Sequence, residues 1–206
     1  MLKIEDIFSY KAIIFDLDGT LVNSEPLHLK AWNEINQKYN LPLMNIEYMQ
    51  EVGGISTLNI CKMYFEQHKR YDLDPVSVAR EKWELYRIKY MKDVPLHQSI
   101  ADILKTAKEK KLHTAVATGS RLPETEFLLK KHGLLEYLDT IVSSDQVKRC
   151  KPAPDTYHTA AMRLNTAPCD CLVFEDTNVG LQGIKAAGMT AIQVFEGKII
   201  SDFIKP

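Results

Sequence analysis

Ile13-Ile14-Phe15-Asp16-Leu17-Asp18-Gly19-Thr20-Leu21 is the stretch whose reading decides the fold. It is an apolar run that ends in two acids one residue apart and then breaks on a glycine. Ala12 to Phe15 is β-branched and aromatic without alternation, the pattern of a strand buried on both faces of a parallel sheet. Open α/β sheets hold their ligands at the carboxyl ends of such strands. Asp16 and Asp18 would share a face of an extended strand, but Gly19 lets the chain turn there, so the two carboxylates need not stay parallel.

Working outward, further strands are expected at His113–Ala117, Thr140–Val142, Cys171–Phe174 and Thr190–Val194. They alternate with helices through Ile100–Ala107, Phe127–Leu128, Thr156–Leu164 and Leu181–Ile184, and Gly133 and Gly188 stop two of these helices. Alternation of this kind predicts a doubly wound, Rossmann-like parallel sheet with helices on both faces. Between the first two strands the texture is all helical. Asn23-Ser24-Glu25-Pro26 opens one helix with Leu27, Ala31, Trp32 and Ile35 on a stripe, and Ser56 caps a second. Asp74-Pro75 starts a third, whose expected apolar face is Val76, Ala79, Trp83, Tyr86 and Tyr90. The expectation is therefore an α/β core, residues 1–21 and 96–206, interrupted by an inserted helical cap, residues 22–95. Met44, Met49, Met63 and Met91 read as cap packing, and Lys198–Pro206 as a tail without an assigned role.

Composition narrows the partners. Lys and Arg number 26 against 27 Asp and Glu, a formal charge of -1, so no basic field recommends a nucleic acid or an anionic membrane. A small molecule is the expected partner, and a monomer or weak dimer the expected state. The first residues lack an apolar h-region and no run approaches the length of a spanning helix, so a cytoplasmic location is expected. Cys61, Cys150, Cys169 and Cys171 form no metal-ligand spacing and read as reduced thiols. Arg149 and Lys151 could lower the Cys150 thiol pKa, but an incidental cysteine is the expected reading.

Three other strand ends finish in polar residues: Thr118-Gly119-Ser120, Lys151-Pro152 after a short segment, and Glu175-Asp176. A parallel sheet gathers these at one edge. Asp16, Asp18, Glu175 and Asp176 would then repel one another unless a hard cation sits among them, and magnesium suits oxygen ligands that leave room for a substrate phosphate. Thr118, Gly119, Ser120 and Lys151 supply a hydroxyl, a close backbone N–H and a positive charge, the parts of a phosphate clamp. Each alone has a plainer reading, since an Asp at a strand end is commonly a cap or turn former and a lysine a solvated charge.

Taken in order, Asp16-Leu17-Asp18-Gly19-Thr20, Thr118-Gly119-Ser120, Lys151-Pro152 and Glu175-Asp176 resemble the motifs of the haloacid dehalogenase superfamily. The match spans almost the whole chain. The helical insert is similar to the cap of its β-phosphoglucomutase-like and sugar-phosphatase branch, on Gly53-Gly54 and the Asn23 to His28 entry. The resemblance implies that Asp16 is the nucleophile, forming an aspartyl-phosphate, and Asp18 the general acid and base. It implies magnesium on Asp16, the Asp18 backbone carbonyl and Asp176, with Glu175 in support. It also implies that Thr118, Gly119, Ser120 and Lys151 hold the phosphoryl group. Cap residues His28, Trp32, Gly54 and Ser56 are candidate substrate contacts, although His28 reads equally well as a packed histidine.

A mutase of this branch needs a second phosphate grip in the cap. Its pattern puts an arginine where Thr57 stands here, and Arg87 and Lys89 lie around the place where a mutase carries a lysine, with Ile88 between them as the other candidate for that position. A phosphatase of small sugar phosphates, similar to bacterial fructose 1-phosphate phosphatases, is therefore expected ahead of a β-phosphoglucomutase. A receiver-like phospho-acceptor would need neither Asp18 nor a lid, and the intact motif set argues against an idle sugar-phosphate binding protein.

Overall fold

The structure, a computed structural model, describes residues 3–206; Met1 and Leu2, the start of the expected core segment, lie outside the described residues. The chain begins with α1 (Ile4–Ile7) and β1 (Ala12–Phe15), then runs through the cap helices α2 (Glu25–Lys38), α3 (Ile46–Glu51), α4 (Thr57–Gln67) and α5 (Pro75–Leu85). It returns as α6 (Gln98–Glu109), β2 (His113–Ala117), α7 (Leu122–Lys131), β3 (Thr140–Val142) and α8 (Asp155–Arg163). It ends with β4 (Cys171–Glu175), α9 (Asn178–Ala186), β5 (Thr190–Phe195) and β6 (Lys198–Ile199).

The sheet order is β3-β2-β1-β4-β5-β6, with every pairing parallel except the last. All of β1 is buried, which is why its residues show no alternation. Phe15 lies opposite Val116 on one side and Phe174 on the other, and the Phe15 and Phe174 rings stack at 5.2 Å. That register carries Asp16, Thr118 and Glu175 out at the same edge. β4 and β5 each run one residue beyond the expected ends. The tail is not free: β6 pairs antiparallel with β5, and Ile204 bridges to Ala191, so the last residues cover an edge that β5 would otherwise expose.

The insert is helical as expected, with a core of its own that includes Trp32, Ile35, Met49, Ile60, Tyr64, Phe65 and Val78. Ser56 and Asp74 cap α4 and α5, Ser56 accepting from the Asn59 N–H and Asp74 from those of Val76 and Ser77. Two readings need correction. Met63 is exposed rather than packed, and α5 is rotated from its expected face. Val76 is 51% exposed, while Val78, Ala79, Lys82 and Tyr86 are buried, so the inward face contains a lysine. A polar target inside the molecule, described below, accounts for that rotation. α5 continues into a π-helical turn, Tyr86–Tyr90.

Cap and core join through two adjacent segments. Val22 pairs with Leu96, Asn23 N–H donates to Pro95 O at 2.9 Å, and His97 N–H donates to Leu21 O at 2.8 Å. All four cysteines are free. The Cys150 thiol is pushed up by burial rather than down, because Arg149 binds Asp155 and Lys151 points to the sheet edge. Among the described residues no helix is long and apolar enough to cross a membrane.

Candidate active site

The strand ends meet where the register requires. Lys151 Nζ donates to Asp16 Oδ1 at 2.6 Å and to Glu175 Oε2 at 2.8 Å, with the lysine and Glu175 side chains each 1% exposed. Burial disfavours the charged lysine, but the two carboxylates outweigh it and hold the ammonium well above its usual pKa. Glu175 is saturated: Lys151 and Tyr157 OH bind Oε2, and Thr177 N–H and Oγ1–H bind Oε1. It acts in this arrangement as the post that orients Lys151. Burial would raise its carboxyl; Lys151 and these hydrogen bonds hold it below the usual range.

Asp16 and Asp176 are left with more negative charge than the protein offsets. Burial raises the Asp16 carboxyl, and Glu175 and Asp18 add to that against Lys151. Burial also raises Asp176, reinforced by Glu175, Asp16 and Glu25. Asp16, Glu175 and Asp176 each place an oxygen within 4.8 Å of the others. Asp16 Oδ2 and Asp176 Oδ2 receive no hydrogen bond from the described residues, while Asp176 Oδ1 accepts from Thr20 at 3.1 Å. Hard oxygen donors, crowded and under-compensated, fit a hard divalent cation. Gly19 makes room for them: its φ is +80°, and a Cβ there would lie 2.0 Å from Asp176 Oδ2.

Asp18 turns away from this cluster. Its Oδ1 accepts from Ser24 Oγ at 2.5 Å and its Oδ2 from Ser120 Oγ at 2.5 Å, with His28 Nε2 at 3.6 Å. Burial raises the carboxyl, yet His28 and the two serines outweigh it and leave Asp18 well below the usual carboxylate range. Ser24 is thus a partner of Asp18 and makes no side-chain cap to α2, its expected role. Ser120 likewise serves Asp18.

Lys82, to which the sequence alone assigns no role, reaches the same place from the cap. It is 2% exposed, and its Nζ lies 2.7 Å from His28 Nδ1 and 5.2 Å from the centroids of the Trp32 and Tyr86 rings. An ammonium can only donate, so Nδ1 accepts and the ring proton sits on Nε2, facing Asp18. Burial and Lys82 push His28 down to about 4, and burial pushes Lys82 down to about 8. The chain Lys82–His28–Asp18 therefore links cap to core, with Tyr86 stacked on His28 at 3.9 Å. Arg87 and Lys89, the cap cations singled out from sequence, are exposed and pair with Glu84 and Glu34.

Asp16, Asp18, His28, Trp32, Lys82 and Ser120 line one cleft together with Glu25, Thr118, Gly119, Gly53, Gly54, Thr57 and the apolar Met49, Val52, Ile55 and Ile60. Ser56 does not line it, whereas Thr57 does. The cap loop rests on the core: a Cβ at Gly119 would lie 3.1 Å from Gly54 O. The cleft thus combines a carboxylate held by lysine, a second carboxylate on an independent hydrogen-bond network, and a lid. That arrangement is suited to transfer of a group onto Asp16 with separate proton handling at Asp18.

The chain is similar to known proteins over most of its length. Residues 13–194 match the family model for haloacid dehalogenase-like hydrolases. Fructose-1-phosphate phosphatase YqaB of Escherichia coli is 40% identical over 186 residues, covering 90% of this chain and 96% of that protein. The solved structure of a β-phosphoglucomutase from Clostridium difficile has the same fold, with a TM-score of 0.81 at 23% identity over 89% of this chain and 84% of the other. CbbY from Rhodobacter sphaeroides, solved with xylulose-(1,5)bisphosphate, gives a TM-score of 0.78 at 29% identity over 91% of this chain and 88% of that one.

Proposed function

The chain belongs to the haloacid dehalogenase-like hydrolase family and is a phosphoric monoester hydrolase, and from that premise we propose that it is a magnesium-dependent phosphatase of small sugar phosphates, fructose 1-phosphate among them. The observation that carries the reading is the contrast between two acids. Asp16 is bound to Lys151 and stands by the phosphate loop, while Asp18 sits on its own network of Ser24, Ser120 and His28.

In this mechanism the phosphate enters against Thr118, the Gly119 N–H and Lys151, which spread positive potential over its oxygens. Thr118 Oγ1 accepts from Ser120 N–H at 3.0 Å, so its own proton is free for the phosphate. An Asp16 oxygen attacks phosphorus, the bond from phosphorus to the sugar oxygen breaks, and Asp18 gives its proton to the departing oxygen. The arriving phosphate anion favours the protonated form of Asp18 that this step needs. Water then attacks the aspartyl-phosphate and gives its proton back to Asp18, releasing inorganic phosphate and the free Asp16 carboxylate. Asp16, the Asp18 carbonyl and Asp176 would hold magnesium, which supplies positive charge that lets a carboxylate approach a phosphate dianion. The cap, residues 22–95, closes over the core at Leu21–Val22 and Lys92–Pro95 to exclude water.

A mutase is the second reading, and Lys82 favours it because it places a cation in the cap wall of the cleft. Its commitment to His28 weighs the other way. Phosphate release and sugar-phosphate isomerisation, measured side by side over a panel of hexose and pentose phosphates with magnesium, separate the two. Release from fructose 1-phosphate without isomerisation of β-glucose 1-phosphate is expected; a phospho-Asp16 that accumulates without release would point to a phospho-acceptor instead.

A further inference from the structure

Trp83 lies on α5 one residue beyond Lys82, and its indole bridges cap and core. The Nε1–H donates to Thr57 Oγ1 at 3.0 Å, and the ring face carries the Arg121 guanidinium at 4.7 Å from its centroid. Arg121 directly follows the phosphate loop, yet it does not line the cleft. Lys82 is the one cation among the residues lining the cleft, and it is bound to His28. Thr57 does line the cleft, and its hydroxyl accepts from Trp83 but donates to no acceptor among the described residues. A hydroxyl that accepts one hydrogen bond and donates none has its proton available to an oxygen that fills the space beside it.

We propose that Thr57 is a specificity-determining residue, donating its hydroxyl proton to an uncharged oxygen of the sugar, and that Trp83 is the positioning residue that aims it. The proposal rests on the sugar-phosphatase reading above and deepens it. Because Arg121 lies outside the lining of the cleft and Lys82 donates to His28, this wall offers a neutral donor where a second phosphate would require a free cation. The cleft therefore selects sugar monophosphates over bisphosphates. Thr57 is the first residue of α4, with Ser56 as the cap, so replacing its hydroxyl leaves the helix start intact.

The test compares kcat and KM for fructose 1-phosphate, fructose 1,6-bisphosphate and p-nitrophenyl phosphate in the wild type and in Thr57→Val, Thr57→Ser and Trp83→Phe. The wild type should prefer the monophosphate to the bisphosphate. Thr57→Val should lose about tenfold in kcat/KM on fructose 1-phosphate, mainly through KM, and much less on the aryl ester, which has no sugar oxygen. Thr57→Ser should restore the preference. Trp83→Phe keeps a ring for Arg121 but removes the N–H, and should fall between wild type and Thr57→Val on the sugar ester alone. Equal losses on both esters, or a wild type that prefers the bisphosphate, would overturn the assignment while leaving the phosphatase reading intact. A wild type that releases phosphate from the aryl ester but from no sugar phosphate would overturn both.

Discussion

Asp16 and Asp18 stand two residues apart in sequence, yet their surroundings make them unequal. Asp16 is tied to Lys151, and Asp18 to Ser24, Ser120 and His28. Asp16→Asn should lower turnover of fructose 1-phosphate by at least about a thousandfold, since an amide cannot form the acyl phosphate; near-normal phosphate release by that variant would rule out the covalent route. Asp176 gives a prediction about stability. Its carboxyl is raised by burial and by Glu175, Asp16 and Glu25, so in the metal-free protein at pH 7 its ionised form opposes folding. Asp176→Asn should therefore raise the metal-free Tm and abolish the rise that millimolar magnesium gives the wild type. Thermal scans with and without magnesium check this, and an unchanged magnesium response would remove Asp176 from the ligand set. The meeting of Asp16 with Glu175 and Asp176 was legible because they stand at the ends of two buried strands, and parallel register fixes where strand ends go. Ser24 was misread because Asn-Ser-Glu-Pro is a strong local cap pattern, whereas its actual acceptor, Asp18, is contributed by a turn that local reading cannot place.

At the scale of the element, α5 is where sequence reading went furthest astray. The stripe Val76, Ala79, Trp83, Tyr86 and Tyr90 treats lysine as solvated, but the buried face is Val78, Ala79, Lys82 and Tyr86. Lys82 turns inward because His28 accepts from it and the Trp32 and Tyr86 rings flank its charge. The available signal was spacing: Val78, Lys82 and Tyr86 recur at four-residue intervals. Burying this lysine costs stability. Its folded pKa of about 8 lies below the ordinary lysine value, so between about pH 8 and 10.5 the unfolded chain holds a proton that the folded chain has lost. The penalty, about 3 kcal/mol, applies in full below pH 8 and fades as pH rises toward 10.5. Urea unfolding should accordingly show Lys82→Met more stable than wild type at pH 7, with the difference shrinking by pH 10, even as its phosphatase activity drops. A variant less stable than wild type at pH 7 would mean that the His28 bond outweighs desolvation.

For the whole molecule, the question is how the lid meets the core. The doubly wound sheet and the helical insert were both readable, because the periodicity changes at each boundary. The edge formed by β6 and Ile204 was not, since two residues of pairing and one bridge leave no alternating pattern to detect. The contact between cap loop and core was only partly readable. Gly53-Gly54 reads as a loop, but the approach of Gly54 O to Gly119 joins segments far apart in sequence, which no local pattern encodes. Gly54 combines both demands on a glycine: its φ is +80°, and a Cβ there would lie 3.1 Å from Thr177 Oγ1, on the residue that also binds Glu175. Gly54→Ala should cost about 1 kcal/mol of stability through backbone strain. It should also reduce kcat/KM for fructose 1-phosphate by about tenfold, because a lid held a few tenths of an ångström open no longer aligns Lys82, His28 and Asp18. The ratio of amide hydrogen exchange at 21–23 and 96–97 with and without vanadate reports the lid directly. Protection gained by wild type but not by Gly54→Ala is the expected result, and equal protection in both would show that closure does not depend on this contact.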